Sequence, residues 1–264
     1  MLTFILLCLL VGAIVGFLAG LFGIGGGLVI VPTLVYLLPM MGIPDQMLMS
    51  TALGTSFATI VITGFSSAQR HHKLGNIVWS AVKVLAPVMM ITVFISGLFI
   101  GKLDRDVSAK TFACLVVYLA AKMVISIKKN TANAKPLTTQ SSVIGGILIG
   151  MASSAAGIGG GGFIVPFLNS RGIDMKKSIG SSSFCGALLG LSGMLSFMVS
   201  GWGNPSMPDY SLGYIYLPAV LGITASSFFT SKLGATATSK LPVSTLKKGF
   251  ALLLIAIAVD MFIK

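Results

Sequence analysis

The 264-residue chain contains no glutamate and only six aspartates, and charged residues of both signs amount to 9% of it. Soluble domains carry about 25% charged residues. Hydrophobic residues make up 55% of the chain, and its mean hydropathy is +0.98. This leaves too little polar surface to cover a globule of 27.4 kDa. The composition excludes an ordinary cytosolic enzyme, a disordered chain and a secreted disulfide scaffold. It predicts an integral membrane protein that crosses the bilayer several times.

Residues that bind metals or form disulfides are also scarce. The three cysteines lie in apolar stretches without C-x-x-C spacing, and the two histidines, His71 and His72, have no third ligand nearby. We therefore expect free, buried thiols, no metal site and no cofactor. The first residues lack the basic segment of a cleaved signal peptide, so we expect them to remain in the mature protein.

Apolar stretches long enough to cross a membrane dominate the chain. A membrane-spanning helix needs about 20 apolar residues. Six stretches qualify: 48–68, 77–100, 109–127, 177–200, 211–231 and 244–263. Two more, 3–38 and 141–168, are interrupted by glycine runs at 23–27 and 157–162. Such runs are expected to break a helix.

The two interrupted stretches are copies of one another. Residues 25–32 (GGGLVIVP) match residues 159–166 (GGGGFIVP) at an offset of 134, and residues 53–56 (LGTS) match residues 179–182 (IGSS) at an offset of 126. Further matches follow in the same order along both halves. The sequence thus predicts a first membrane repeat at 1–132, a cytoplasmic linker at 133–139 and a second membrane repeat at 140–264.

The distribution of basic residues predicts the topology. If each glycine-broken stretch crosses once, the lysines and arginines divide 8 to 10 between the two sides, which is no clear bias. If each stretch enters and returns to its own side, 14 of the 18 fall on the cytoplasmic side and 4 outside. Cytoplasmic loops are enriched in lysine and arginine. The net charge of +12 is therefore expected to mark these loops, and we expect no nucleic acid partner.

The returning arrangement makes the second repeat inverted relative to the first. The predicted fold is an all-α polytopic integral membrane protein of two inverted repeats, each a glycine-broken helical hairpin plus three transmembrane helices. The pattern fits a full helix followed by a short returning one equally well in each hairpin. Inverted repeats with broken helices are typical of transporters, which bind substrate at the repeat interface near the membrane midplane.

The glycine runs are candidate anion sites. The start of a helix after a break presents backbone N–H groups and the positive end of the helix dipole, and glycine lets a ligand approach them. The predicted binding residues are Gly25, Gly26, Gly27, Gly159, Gly160 and Gly161. Hydroxyls that could donate to the same anion are Thr55, Ser56, Ser181 and Ser182. Tight helix packing by small residues is the alternative for both groups. Pro32 and Pro166 are predicted to break the returning helices.

No acidic residue lies in the middle of a predicted span, and Asp260 is four residues from the C-terminus. Proton- and sodium-coupled carriers commonly use intramembrane carboxylates. Their absence favours passive or potential-driven movement of an anion, which an inside-negative membrane potential would drive outward.

These motifs resemble those of the sulfite exporter family TauE/SafE. The resemblance is carried by Gly12, Gly16 and Gly20, then by residues 22–27 (FGIGGG) with Pro32, and by the repeat at residues 156–162 (AGIGGGG) with Pro166. It implies a multi-pass permease of the cytoplasmic membrane that exports small anions, with sulfite or organosulfonates as substrates and alternating access as the mechanism. The second copy departs from the first where Ala155 and Ala156 replace Leu21 and Phe22, so the two half-sites need not be equivalent.

Two other functions remain open. Broken helices can present carbonyl groups to a cation, so a cation or cation-coupled carrier is one alternative. The string at 190–193 (GLSG) within a predicted span suggests the other, an intramembrane serine protease with Ser192 as nucleophile. The partners expected are a small anion and the lipid bilayer, and the apolar helix faces also allow a homo-oligomer.

Overall fold

The computed structural model describes residues 1–128, 137–242, 244–246, 248–249 and 252, and the structural account is confined to them. Within these residues the protein is all-α and has no β-strand; Ser211 and Tyr216 form one isolated bridge. The helices are α1 (Leu2–Phe22), α2 (Gly27–Leu37), a 3₁₀ turn (Leu38–Met41), α3 (Asp45–Lys73), α4 (Trp79–Ile100), α5 (Arg105–Lys128), α6 (Thr139–Ala156), α7 (Gly161–Ser170), α8 (Met175–Ser200) and α9 (Leu217–Lys240).

Most predicted spans coincide with helices, and the membrane class is supported. Four described helices, α1, α3, α4 and α8, are long and apolar enough to cross a membrane. The span predicted at 211–231 was misplaced. Residues 201–216 form a loop that contains prolines and glycines, and α9 continues to Lys240 through small polar residues that pack against α1. The predicted linker at 133–139 and the span at 244–263 lie largely outside the described residues.

Small residues allow the helix pairs to pack closely. Gly12, Gly16 and Gly20 of α1 face α9, and a Cβ added at Gly20 would lie 2.0 Å from the Ser231 carbonyl oxygen. Gly150 of α6 faces α4 in the same way, with Thr92 as its neighbour. Membrane helices associate through such contacts because lipid supplies no hydrophobic force between them. The first helix of each half therefore packs against a helix from the other half.

Contacts at both ends of α1 establish its direction. At its start, the Phe4 ring meets the Tyr216 ring edge-on, with the ring centroids 5.9 Å apart, and the Tyr216 N–H donates to Thr55 in the first half of α3. At its end, Nε2 of His71, near the end of α3, is hydrogen-bonded to the Gly20 carbonyl at 3.1 Å. Since α1 and α3 run parallel, the chain between them, which includes α2, returns to the end where α1 began. The glycine-broken segment is a full-length helix followed by a short returning one.

The antiparallel pair α3 and α8 forms the centre of the molecule. Gly193 packs on the Phe57 ring, and Gly64 packs on Ala187. Further along, the Ser67 hydroxyl donates to the Ser183 hydroxyl at 3.1 Å. The contacting residues therefore rise in number along α3 while they fall in number along α8, as in an antiparallel pair. Residues 53–56 and 179–182, which match in sequence, thus lie on helices that run in opposite directions.

Most of the described basic residues whose contacts are resolved gather at one end of the helices. Near the ends of α3 and α9, the Arg70 side chain donates to Thr236, and the Lys176 ammonium donates to the Ser239 carbonyl. At the opposite end, Arg105 forms an ion pair with Asp45 at the start of α3. Arg70 and Lys176 therefore lie at the opposite end of the helices from Arg105.

The packing of α1 against α9 predicts a strict size limit at Gly20. In Gly20→Ala, the new Cβ would collide with a backbone oxygen, so the two helices must move apart. We expect a loss of about 1–3 kcal/mol in the free energy of unfolding, measured by thermal unfolding of the detergent-solubilised protein.

Gly145→Ala is the matched control. Both substitutions replace a helical glycine and gain about 1 kcal/mol of helix propensity. A Cβ at Gly145 would meet only the Phe167 ring, which is free to shift as a side chain. Its stability should be unchanged or higher, and equal losses in the two variants would contradict the prediction.

Candidate functional site

Two glycine breaks form the candidate site. Helix α1 ends at Gly23 (φ +68°), and α2 begins after Gly26 (φ +90°). Helix α6 ends at Gly157 (φ +59°), and α7 begins after Gly160 (φ +72°). These are left-handed backbone conformations that residues with a Cβ rarely adopt. The glycines therefore end one helix and start the next within four residues.

The two breaks touch each other, backbone against backbone. A Cβ added at Gly27 would lie 2.4 Å from the Gly157 carbonyl oxygen. The reciprocal contact places a Cβ at Gly161 2.1 Å from the Gly23 carbonyl oxygen. No larger residue fits at either position without separating the breaks. All six glycines of the predicted site are buried.

Two of the predicted hydroxyls bind the same carbonyl groups. Ser56 of α3 donates to the Gly157 carbonyl at 2.8 Å, and Ser182 of α8 donates to the Gly23 carbonyl at 2.8 Å. Each hydroxyl reaches the break in the other half of the chain. In this structure both O–H groups hydrogen-bond the protein, and their first role is to satisfy buried carbonyls.

The other two predicted hydroxyls bind the starts of helices. The Tyr216 N–H, at the N-cap of α9, donates to Thr55 at 3.0 Å. The Val78 N–H, at the N-cap of α4, donates to Ser181 at 2.8 Å. The structure therefore places Ser56 and Ser182 at the glycine breaks, and it places Thr55 and Ser181 at the starts of α9 and α4, as two matched pairs.

The backbone N–H groups at the starts of α2 and α7 make no such bonds. Within the described residues, no hydrogen bond is made by the N–H groups of residues 25–28 or of residues 159–162. The next N–H groups, those of Val29 and Phe163, turn back to the Gly26 and Gly160 carbonyls. Unpaired N–H groups in buried segments are rare because they cost free energy. The two breaks thus bring together two sets of unsatisfied donors.

Ile60 of α3 fills the space between the breaks, a position that no sequence motif indicates. A Cβ at Gly25 would lie 2.9 Å from its Cγ2, and a Cβ at Gly159 would lie 2.8 Å from the same atom. The residue that matches Ile60 in the second half, at the offset of 126, is Gly186. Periodicity along α3 could identify Ile60 as buried, but not as the residue between the breaks.

The two prolines do not break their helices. Pro32 lies within α2, which continues to Leu37, and Pro166 lies within α7, which continues to Ser170. The breaks lie upstream, at the glycines, where the left-handed backbone stops helix propagation. The prediction that Pro32 and Pro166 break the returning helices was therefore wrong, because both helices continue past them.

The serine protease alternative finds no support in the geometry. Ser192 donates to the Met90 carbonyl at 2.5 Å, and Ser196 and Ser200 make equivalent bonds to α4 one and two turns later. Ser192 thus belongs to a row of interhelical hydrogen bonds. His72 lies against Trp79, with the ring centroids 5.6 Å apart. Among the described residues, no group of three histidine, cysteine or acidic side chains could hold a metal ion.

The contacts of Ser56 and Ser182 predict their effect on stability. Ser56→Ala and Ser182→Ala each leave a buried carbonyl without its hydroxyl donor, so we expect each to lower the free energy of unfolding by about 1–3 kcal/mol. Chemical or thermal denaturation in detergent measures this loss. Ser170→Ala is the control because that hydroxyl is exposed and donates within its own helix. A loss as large in the control would contradict the prediction.

Comparison with known proteins supports a transport function. The family described as "Sulfite exporter TauE/SafE" matches residues 8–261. A "Probable membrane transporter protein" of Haemophilus influenzae is 79% identical over 264 residues, covering all of both chains. "Probable membrane transporter protein MJ0441" of Methanocaldococcus jannaschii is 29% identical over 236 residues, covering 89% of this chain and 86% of that protein.

A third relative is "Probable membrane transporter protein YunE" of Bacillus subtilis, which is 25% identical over 278 residues and covers 97% of this chain and 96% of that protein. No solved structure matches the chain. The family and the names of these relatives indicate a membrane transporter and not an enzyme. The family match covers nearly the whole chain, and the chain belongs to the sulfite exporter TauE/SafE family.

Proposed function

We propose that this transporter is a permease that exports small anions, sulfite or an organosulfonate, across the cytoplasmic membrane by alternating access. The anion binds at the paired glycine breaks, where the starts of α2 and α7 meet. The observation that carries the proposal is the two sets of unpaired N–H groups at residues 25–28 and 159–162. Such groups, with the positive ends of two helix dipoles, favour an anion.

The matched contacts support an inverted repeat around this site. Thr55 and Ser181, 126 residues apart, accept from Tyr216 and Val78, which are 138 residues apart. Ser66 and Ser192 have the same spacing, and they donate to the carbonyls of Phe228 and Met90, again 138 residues apart. Equivalent residues in the two halves thus make equivalent bonds across the halves, while α3 and α8 run antiparallel. These relations are those expected of a two-fold axis through the glycine breaks.

The charges near the site favour an anion over a cation. The five aspartates within the described residues are all exposed, outside the site. The carbonyl groups that end α1 are already bound: Thr238 donates to that of Leu21, and Ser182 donates to that of Gly23. A cation would have to compete with these donors, so the cation carrier is the weaker alternative.

Basic side chains lie at the end of the molecule that the charge count assigns to the cytoplasm. Arg70, Lys73 and Lys232 line a cavity of about 280 Å³ there, with Gln69, Leu233 and Thr236 as its other lining residues. A concentration of positive charge raises the local concentration of anions. An anion leaving a cell with an inside-negative potential gains about 2.3 kcal/mol per charge per 100 mV, so export needs no coupling ion.

Alternating access requires the centre of the molecule to move. The breaks are buried, and Ile60 fills the space between them, so an anion reaches the glycines only if this space opens. Movement of α3 relative to α8 would displace Ile60 and open the glycines to one side at a time.

Flux through vesicles tests the proposal. Purified protein in liposomes loaded with sulfite should release it faster than protein-free liposomes, and an inside-negative potential should accelerate the release. Gly145→Ala should retain this flux, because Gly145 lies outside the breaks and its Cβ would meet only the Phe167 ring. Gly161→Ala should lose it, because its Cβ would force the two breaks apart.

The release of other ions from the same liposomes tests the substrate class. Ethanesulfonate should be released as sulfite is, and sodium should not be released. Flux that ignores sulfite, sulfonates and other oxyanions would overturn the proposal. Saturable sodium flux in their place would favour the cation carrier.

A further inference from the structure

One of the two glycine breaks has a hydroxyl group without a partner. Ser153, in the last turn of α6, is fully buried, and its Oγ makes no hydrogen bond with any described residue. Helical serines and threonines commonly donate to the carbonyl four residues earlier, as Thr92 does to Val88 at 2.8 Å. Since an unpartnered buried hydroxyl costs free energy, its presence points to a ligand that accepts its hydrogen bond.

This hydroxyl faces the start of α7. A Cβ built on Gly160, the N-cap of α7, would lie 3.3 Å from the Ser153 Oγ. The N–H groups of Gly161 and Gly162, in the first turn of that helix, are unpaired within the described residues. Two independent kinds of donor, a hydroxyl and the first N–H groups of a helix, therefore lie near each other in a buried place.

The first break lacks this feature. At the offset of 134, the residue that matches Ser153 is Ala19. Its Cβ would lie 3.7 Å from a Cβ built on Gly26, and Cγ1 of Val15 would lie 2.4 Å from the same point. Methyl groups lie close to both N-caps, and those of Ile164 and Leu189 are each 2.8 Å from the Cβ position of Gly160. The start of α7 differs from the start of α2 in having a hydroxyl beside it as well.

We infer that the transported anion binds at the second break, where one of its oxygens accepts from Ser153 and another from the N–H groups of Gly161 and Gly162. This inference rests on the proposed function and makes the site asymmetric, with one anion per chain. Because the donors come from the end of one helix and the start of another, they suit an anion with at least two acceptor oxygens. Sulfite and sulfonates have this property, and chloride does not.

Anion binding to Ser153→Ala tests the inference. The probes are sulfite, ethanesulfonate and chloride, and the readout is thermal unfolding of the purified full-length protein in detergent over a range of anion concentrations. Without anion, Ser153→Ala should be as stable as the wild type or more stable, because it removes an unpartnered hydroxyl. Its dissociation constant for sulfite should rise about 10- to 100-fold, as expected for a lost hydrogen bond to a charged group.

Ser154→Ala is the matched control on the next residue. The Ser154 hydroxyl already bonds Ser96 at 2.7 Å and the Met151 carbonyl at 2.8 Å. Its removal should lower stability without anion and leave the affinity for sulfite unchanged. A purely structural role for Ser153 would produce the opposite pattern, a loss of stability with no change in affinity.

The outcomes separate this inference from the proposed function. If the wild type binds sulfite and Ser153→Ala binds it equally well, the inference is wrong and the proposed function stands. If chloride binds as tightly as sulfite, the assignment to anions with several oxygens is wrong. If no anion stabilises the wild type, both the proposed function and the inference are overturned.

Discussion

The architecture depends on a contact that only glycine permits: at Gly27 and at Gly161, the backbone of one broken segment touches the backbone of the other. Gly27 lies against the Gly157 carbonyl, and Gly161 lies against the Gly23 carbonyl. A contact this close requires both segments to be buried, and buried backbone groups require partners. The serine hydroxyls of α3 and α8 supply partners for the two carbonyls. These hydrogen bonds to the carbonyls of Gly157 and Gly23 therefore position α3 and α8 against the two breaks.

The same contact accounts for the exchange of helices between the two halves. Because each break is completed by a serine from the opposite half, neither half is complete alone. The outer pairs follow this pattern, with α1 packed against α9 and α6 packed against α4. Small residues make these pairings close, as at Gly20, where a carbonyl of α9 lies where a side chain would be. Hydrogen bonds from serines and threonines then fix the register of the helices.

Much of this arrangement could be predicted from the sequence, and the limits have physical causes. Apolar runs predicted most of the helices because lipid demands them, and glycine runs predicted the breaks because no other residue tolerates that backbone. The end of α9 was missed because its last turns are rich in threonine, serine and glycine, which hydropathy does not recognise as part of a span. Ile60 and Ser153 were missed for another reason. Their importance lies in what surrounds them, and a single sequence reports neither neighbours nor missing partners.

Packing and anion binding were alternative explanations of the glycine runs, and the structure removes the conflict between them. The packing contacts use the carbonyl side of each break, where Ser56 and Ser182 complete the hydrogen bonding. The N–H side is left unpaired in both breaks within the described part of the chain. The carbonyl groups at the negative ends of the local dipoles are therefore already hydrogen-bonded. The N–H groups at the positive ends, the starts of α2 and α7, face each other without partners among the described residues. A bound anion would relieve the cost of bringing two such helix starts together, so tight packing strengthens the case for an anion site.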